Sequence, residues 1–270
     1  MVVNVSRSVR GKLVNAVVLV SAVAALSVTA PSAHAAGTPD PAVVAALQRI
    51  QNGTWTNADA ELIRGVPELA ATTPDPRVAP TVTVEEIQYV VLPDGTMEST
   101  STTGLSDADA AAAGTSDGLR QLVTPESGAD TSVGDLVELP EEGTSSTAPA
   151  RGVRAASGKW KWSHVTVTAH SYFGTVIYKW HRKAQFRYDG SKVTQWGSRS
   201  DSTSNEQDVV QVGARLENQK SRVPASSATS FMKRRIDLCA PAYGCYATNY
   251  PWAKIKMKGN GTTSFTSSDR

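Results

Sequence analysis

Residues 175–188, TVIYKWHRKAQFRY, alternate for most of their length between two kinds of side chain. Val176, Tyr178, Trp180, Ala184, Phe186 and Tyr188 share one parity; Thr175, Lys179, His181, Lys183, Gln185 and Arg187 share the other. Successive strand residues point to opposite faces, so this run predicts a long strand with an aromatic inner face and a basic outer face. Arg182 is the one misfit of the inner parity and is expected to mark a bulge or a strand end. The same period recurs downstream. Val210, Val212, Ala214 and Leu216 are expected inward, as are Met232, Ile236 and Leu238. Ala253, Ile255 and Met257 are expected inward, with Lys254, Lys256 and Lys258 outward. Upstream, Val165, Val167 and Ala169 oppose Thr166, Thr168 and His170. Asp189-Gly190 and Gly259-Asn260-Gly261 are turn signals. Together these predict an all-β C-terminal domain, an antiparallel β-sandwich or flattened barrel of about seven strands.

Charge divides the chain. Residues 36–150 hold 18 acidic and 4 basic side chains, a net of −14, whereas residues 151–270 hold 20 basic and 7 acidic, a net of +13. The acidic part has Trp55 and Tyr89 as its only aromatics, so the main core is expected after it. Its elements are two short helices and a hairpin. The first helix covers 41–51; the second is capped by Thr56 or Asn57 and ended by Gly65 and Pro67. The hairpin turns at Pro93-Asp94-Gly95, and a Ser-, Thr-, Asp- and Gly-rich remainder is expected to be partly disordered. The predicted organisation is therefore a signal peptide at 1–35, an acidic α+β segment at 36–142, a linker at 143–158 and a basic β-domain at 159–270.

The signal peptide rests on three features. Arg7, Arg10 and Lys12 precede an apolar run at 13–28, and Ala33-His34-Ala35 offers small residues for cleavage after Ala35. The expectation is a secreted, extracellular protein with no membrane span after cleavage. Arg151 and Arg154 in the linker are candidate processing sites. Cys239 and Cys245 are the only cysteines, and in an exported chain they are expected to be bonded to each other.

No catalytic motif stands out. There is no G-x-S-x-G elbow and no metal-ligand spacing, so neither a cofactor nor a metal is expected. His164, His170 and His181 are nevertheless notable: a hairpin turning near Phe173-Gly174 brings residue 181 close to residues 164–166. Glu206 or Glu217 with a histidine and an arginine would be needed for acid–base work. The basic faces are the stronger signal. Lys179, His181, Lys183 and Arg187, with Lys254, Lys256 and Lys258, are candidate contacts for a polyanion. Trp160 and Trp162 are candidates for stacking on sugars or bases, or for packing beneath the acidic segment.

The stretch YKWHRKAQFRYDGSKVTQW, followed by the two cysteines and YPWAKIKMKGNGT, resembles uncharacterised secreted β-rich proteins of high-GC Gram-positive bacteria over about residues 159–265. That resemblance implies export and an all-β fold, and no activity. The sequence therefore points to a non-enzymatic secreted protein. Its basic domain would bind anionic extracellular or cell-wall material, with the acidic segment as mask, pro-region or partner. An extracellular hydrolase of phosphodiesters or glycans, or an inhibitor or toxin using the 239–245 loop, are the alternatives.

Overall fold

The computed structural model describes residues 39–124 and 158–269. The signal segment, Arg151, Arg154 and nearly all of the linker lie outside them. Two antiparallel five-stranded sheets face each other. The strands in chain order are β1 (Thr81–Val91), β2 (Met97–Thr103), β3 (Lys159–His170), β4 (Val176–Tyr188), β5 (Val193–Ser204), β6 (Val210–Lys220), β7 (Ser227–Ala240), β8 (Gly244–Asn249), β9 (Trp252–Lys258) and β10 (Thr263–Ser268). The first sheet runs β2-β1-β3-β4-β5; the second runs β10-β9-β7-β6, with β8 also paired to β7. The helices are α1 (Pro41–Gln51), α2 (Asn57–Arg64), α3 (Pro67–Thr72), α4 (Asp107–Ala113) and α5 (Ser116–Val123).

The inner parity of β4 is buried as the sequence requires. Tyr178, Trp180, Ala184 and Phe186 are fully covered and pack with Met232, Ile236, Leu238, Ala253, Ile255 and Met257 from the opposite sheet. Burial of each large side chain contributes about 2–3 kcal/mol. Arg182 marks neither a bulge nor a strand end: it pairs with Val165 on one side and Asp201 on the other, in mid-strand and fully buried. β6 departs from its expected pattern. Bulges between Val212 and Arg215 and between Arg215 and Glu217 shift its parity. Val212 and Leu216 are left exposed, while the Arg215 side chain is 9% exposed. A bulge adds an unpaired residue and re-aims the side chains beyond it.

The acidic part is built into the sandwich. β1 lies between β2 and β3 and pairs with β3 from Thr81↔Thr168 to Tyr89↔Trp160. The described residues, 39–124 and 158–269, belong to one compact unit, so the change of charge does not separate two folding units. Helix α1 starts at Pro41 behind the Asp40 cap, and α2 has a capping box between Thr56 and Asp59. Gly65 closes α2, but Pro67 then opens α3 at a position where its missing N–H is harmless. Val43, Leu47, Ile63 and Leu69 join the main core. Helices α4 and α5 instead cover the outer face of the first sheet, where Leu119 and Val123 bury Ile87, Tyr89 and Trp162. That sheet is apolar on both faces along part of its length.

Turns follow the glycine signals. Gly261 has φ +87°, and at Gly259 an added Cβ would lie 2.0 Å from the Ser191 carbonyl oxygen. Only glycine admits that approach between the β4–β5 and β9–β10 turns. Cys239 and Cys245 are register partners on β7 and β8 and form a disulfide. Among the described residues no helix is long and apolar enough to cross a membrane.

Candidate functional site: two opposite basic faces

Because even-numbered residues of β4 and odd-numbered residues of β9 share the core, their charged parities point away from each other. The basic residues singled out in the sequence therefore form two surfaces, not one. Lys254, Lys256 and Lys258 stand on the outer face of the second sheet, and all three are exposed. β9 is an interior strand, flanked by β7 and β10. These lysines are thus not the edge charges that guard a sheet against aggregation. Lys254 lies between Phe231 and Thr266, Lys256 between Thr229 and Ser264, and Lys258 beside Ser227. Phe231 and Trp252 meet at 5.8 Å between ring centroids, and the Lys233 ammonium sits 5.3 Å from the Tyr250 ring centroid. Among the described residues no carboxylate forms an ion pair with any of the three lysines. Alternate strand positions put their Cα atoms about 7 Å apart in a row.

The outer face of the first sheet is organised differently. Lys179, His181, Lys183 and Arg187 project from β4 beside His164 and Thr166 of β3. The acidic segment supplies Glu85 opposite His164. His164 Nδ1 lies 2.7 Å from Glu85 Oε2, His164 Nε2 3.0 Å from His181 Nδ1, and His181 Nε2 2.7 Å from Ser204 Oγ. Thr166 Oγ1 lies within 3.2 Å of both histidines. One pair of tautomers satisfies the whole chain: Ser204 donates to His181, His181 to His164, and His164 to Glu85. The hydrogen bond from His164 holds the Glu85 carboxyl below its ordinary range, against the opposing effect of burial. His170 stands apart, hydrogen-bonded to Thr81 Oγ1 at 3.1 Å.

Further along this face, Tyr89, Trp160 and Arg187 line a cleft of about 480 Å³ with Val91, Met97, Gly158 and Gln185. Tyr89 and Trp160 are nearly parallel, 6.4 Å apart at 13°. Trp162 has no ring face to offer a ligand: it is 3% exposed beneath α5, so of the two roles open to it, packing under the acidic segment is the one it takes.

Glu217 lies on the other sheet and accepts from Gln219 at 3.1 Å, away from the histidines. The carboxylate that does meet them, Glu85, had one usable sequence signal: it shares the parity of Ile87 and Tyr89 on a hairpin strand. The partner strand was not readable. Among the described residues no three His, Cys, Asp or Glu side chains converge to hold a metal ion. Compared with protein-family models, curated proteins and solved structures, the chain shows no match.

Proposed function

We propose that this is an exported protein that binds an anionic extracellular or cell-wall polymer through the outer face of its second sheet. The observation that carries the reading is the row of Lys254, Lys256 and Lys258. They are exposed on an interior strand, have no carboxylate partner among the described residues, and stand beside hydroxyl and aromatic side chains. A repeating polyanion meets such a row with several phosphates or carboxylates at once, and release of its counterions drives binding. The bonded cysteine pair fits an oxidising compartment. The acidic segment serves this function as a fixed partner of the first sheet, neutralising Lys161 and accepting from His164 there and leaving the lysine face open. The test is retention of the purified protein on immobilised polyphosphate at low salt. Lys254→Gln/Lys256→Gln/Lys258→Gln should elute in the void; retention equal to the parent protein refutes the reading. Intact mass of the protein from culture medium checks export, with Ala36 as the expected first residue.

One further observation favours a second reading, an extracellular hydrolase. The Glu85–His164–His181–Ser204 chain orients a hydroxyl against an imidazole acceptor, the arrangement by which a serine is activated as a nucleophile. Labelling of Ser204 by a fluorophosphonate, lost in His181→Gln, would support it. A protein labelled no faster than free serine would dismiss it.

A further inference from the structure

Four arginines and a single carboxylate gather between the two sheets, and only two of the arginines reach it. Arg182 comes from β4, Arg199 and Asp201 from β5, Arg215 from β6 and Arg234 from β7. The Asp201 side chain is fully buried, and its two oxygens are already committed. Arg215 donates to Oδ1, Arg234 to both oxygens, and the Trp180 indole N–H to Oδ2 at 3.1 Å. Arg182 and Arg199 therefore have only neutral acceptors. Arg182 donates to the backbone oxygens of Lys183 and Ser200 and to Ser230 Oγ. Arg199 donates to Ser230 Oγ at 3.0 Å and to Asn218 Oδ1 and the Gln219 carbonyl, each at 2.7 Å.

Two donors remain unspent at the point where these arginines converge. Arg182 Nε is buried and has no acceptor, although Arg182 is 0% exposed. Ser230 Oγ accepts from both guanidinium groups, so its own O–H is free to donate, and Ser230 is also 0% exposed. A buried charge without a counter-charge is costly, and a buried donor without an acceptor adds to the cost. Burial pulls both guanidinium groups toward the neutral form. Arg199 falls to about 10, with the charge of Arg215 acting in the same direction, and Arg182 falls well below its ordinary value, with the charges of Arg199 and Arg215 outweighing the opposing charge of Asp201. A guanidinium is nonetheless too basic to give up its proton at ordinary pH, so the site calls for negative charge. A water molecule would satisfy the hydrogen bonds but not the charge.

We propose that Arg182, Arg199 and Ser230 bind one small inorganic anion of the size of chloride or bromide. An anion seated there accepts from Arg182 Nε and the Ser230 hydroxyl, and it supplies the counter-charge that Asp201 cannot share.

The experiment uses the mature protein with bromide as probe. Thermal melts are run at constant ionic strength with bromide exchanged for gluconate, an anion too large to enter. The midpoint should rise by roughly 3–5 °C for each tenfold increase of bromide above its dissociation constant. Crystals grown in bromide should show anomalous density against Arg182 and Ser230. Ser230→Asp places a carboxylate where the anion would sit, so its midpoint should be higher in gluconate and no longer respond to bromide. Arg182→Met should also lose the response, which keeps the test decisive if the aspartate variant fails to fold. Absence of anomalous density at this position, or an unchanged bromide response in Arg182→Met, overturns the proposal.

Discussion

Asp201 is one carboxylate serving two guanidinium groups and an indole, and its removal leaves those donors facing each other. Asp201→Asn should cost about 3–5 kcal/mol, because breaking a buried pair from one side strands a charge. The same residue sets part of the acid limb of stability. Burial alone would raise the Asp201 carboxyl, but hydrogen bonding and the charges of Arg234 and Arg215 outweigh it and hold it below its ordinary value. A carboxyl depressed in the folded state stabilises fully above its unfolded pKa, near about 4, and that contribution is lost as pH falls through the folded value. Urea melts between pH 2 and 7 should therefore show the parent protein losing stability below about pH 4 and Asp201→Asn losing less. Identical pH profiles would remove Asp201 from the account. The sequence did carry a trace of this cluster. Arg182 and Arg234 both occupy inward parities of apolar strands, Arg234 between Met232 and Ile236. A charge on an inward parity looks like a defect until its partner is known, and Asp201 sits in a Ser- and Thr-rich run with no apolar period to fix its face.

At the scale of elements, β1 matters most. Its side chains fill both faces of the first sheet: Ile87 and Tyr89 under the helices α4 and α5, and Glu86 on the other side. Glu86 pairs with the Lys161 ammonium at 2.8 Å and accepts from Ser163 and from Thr263 of β10, so it ties acidic segment, first sheet and second sheet together. A fragment of residues 158–270 alone would expose the edge of β3 and the ring of Trp162. It should therefore give collapsed, poorly dispersed amide spectra, and adding a separate 39–124 fragment should restore dispersion. A well-folded 158–270 fragment would show that β1 is dispensable. The hairpin of β1 and β2 was readable from alternation and its Pro-Asp-Gly turn, as were β3, β4, β9, the span of α1 and the cap of α2. Its pairing with β3 was not, because a local pattern fixes which side chains share a face and leaves open which strand lies alongside. β8 was hidden for a related reason: it begins inside the short loop closed by Cys239 and Cys245. That crosslink staples β8 to β7, and its loss in Cys239→Ser/Cys245→Ser should cost about 2 kcal/mol in chemical denaturation, the chain-entropy value for so short a loop.

Across the whole molecule, charge is sorted by sheet as well as by position along the chain. The first sheet receives the carboxylates of β1, and these meet His164 and Lys161 directly. Among the described residues none of them pairs with Lys254, Lys256 or Lys258 of the second sheet, so that lysine row keeps its field. A polyanion should therefore bind the protein from one side. The salt dependence of affinity measures this, because each neutralised phosphate contributes a slope of about −0.7 to −0.9 in log K against log salt. If the polymer engages Lys254, Lys256 and Lys258 together, replacing all three by glutamine should reduce the slope by roughly 2 to 3. The double change Lys179→Gln/Lys183→Gln, on the opposite face, should leave it unaltered. A slope that falls equally in both variants would mean that the polymer wraps the sandwich or responds to net charge alone. A fall confined to the Lys179/Lys183 variant would move the interface to the first sheet, beside the histidine chain and the Tyr89–Trp160 cleft.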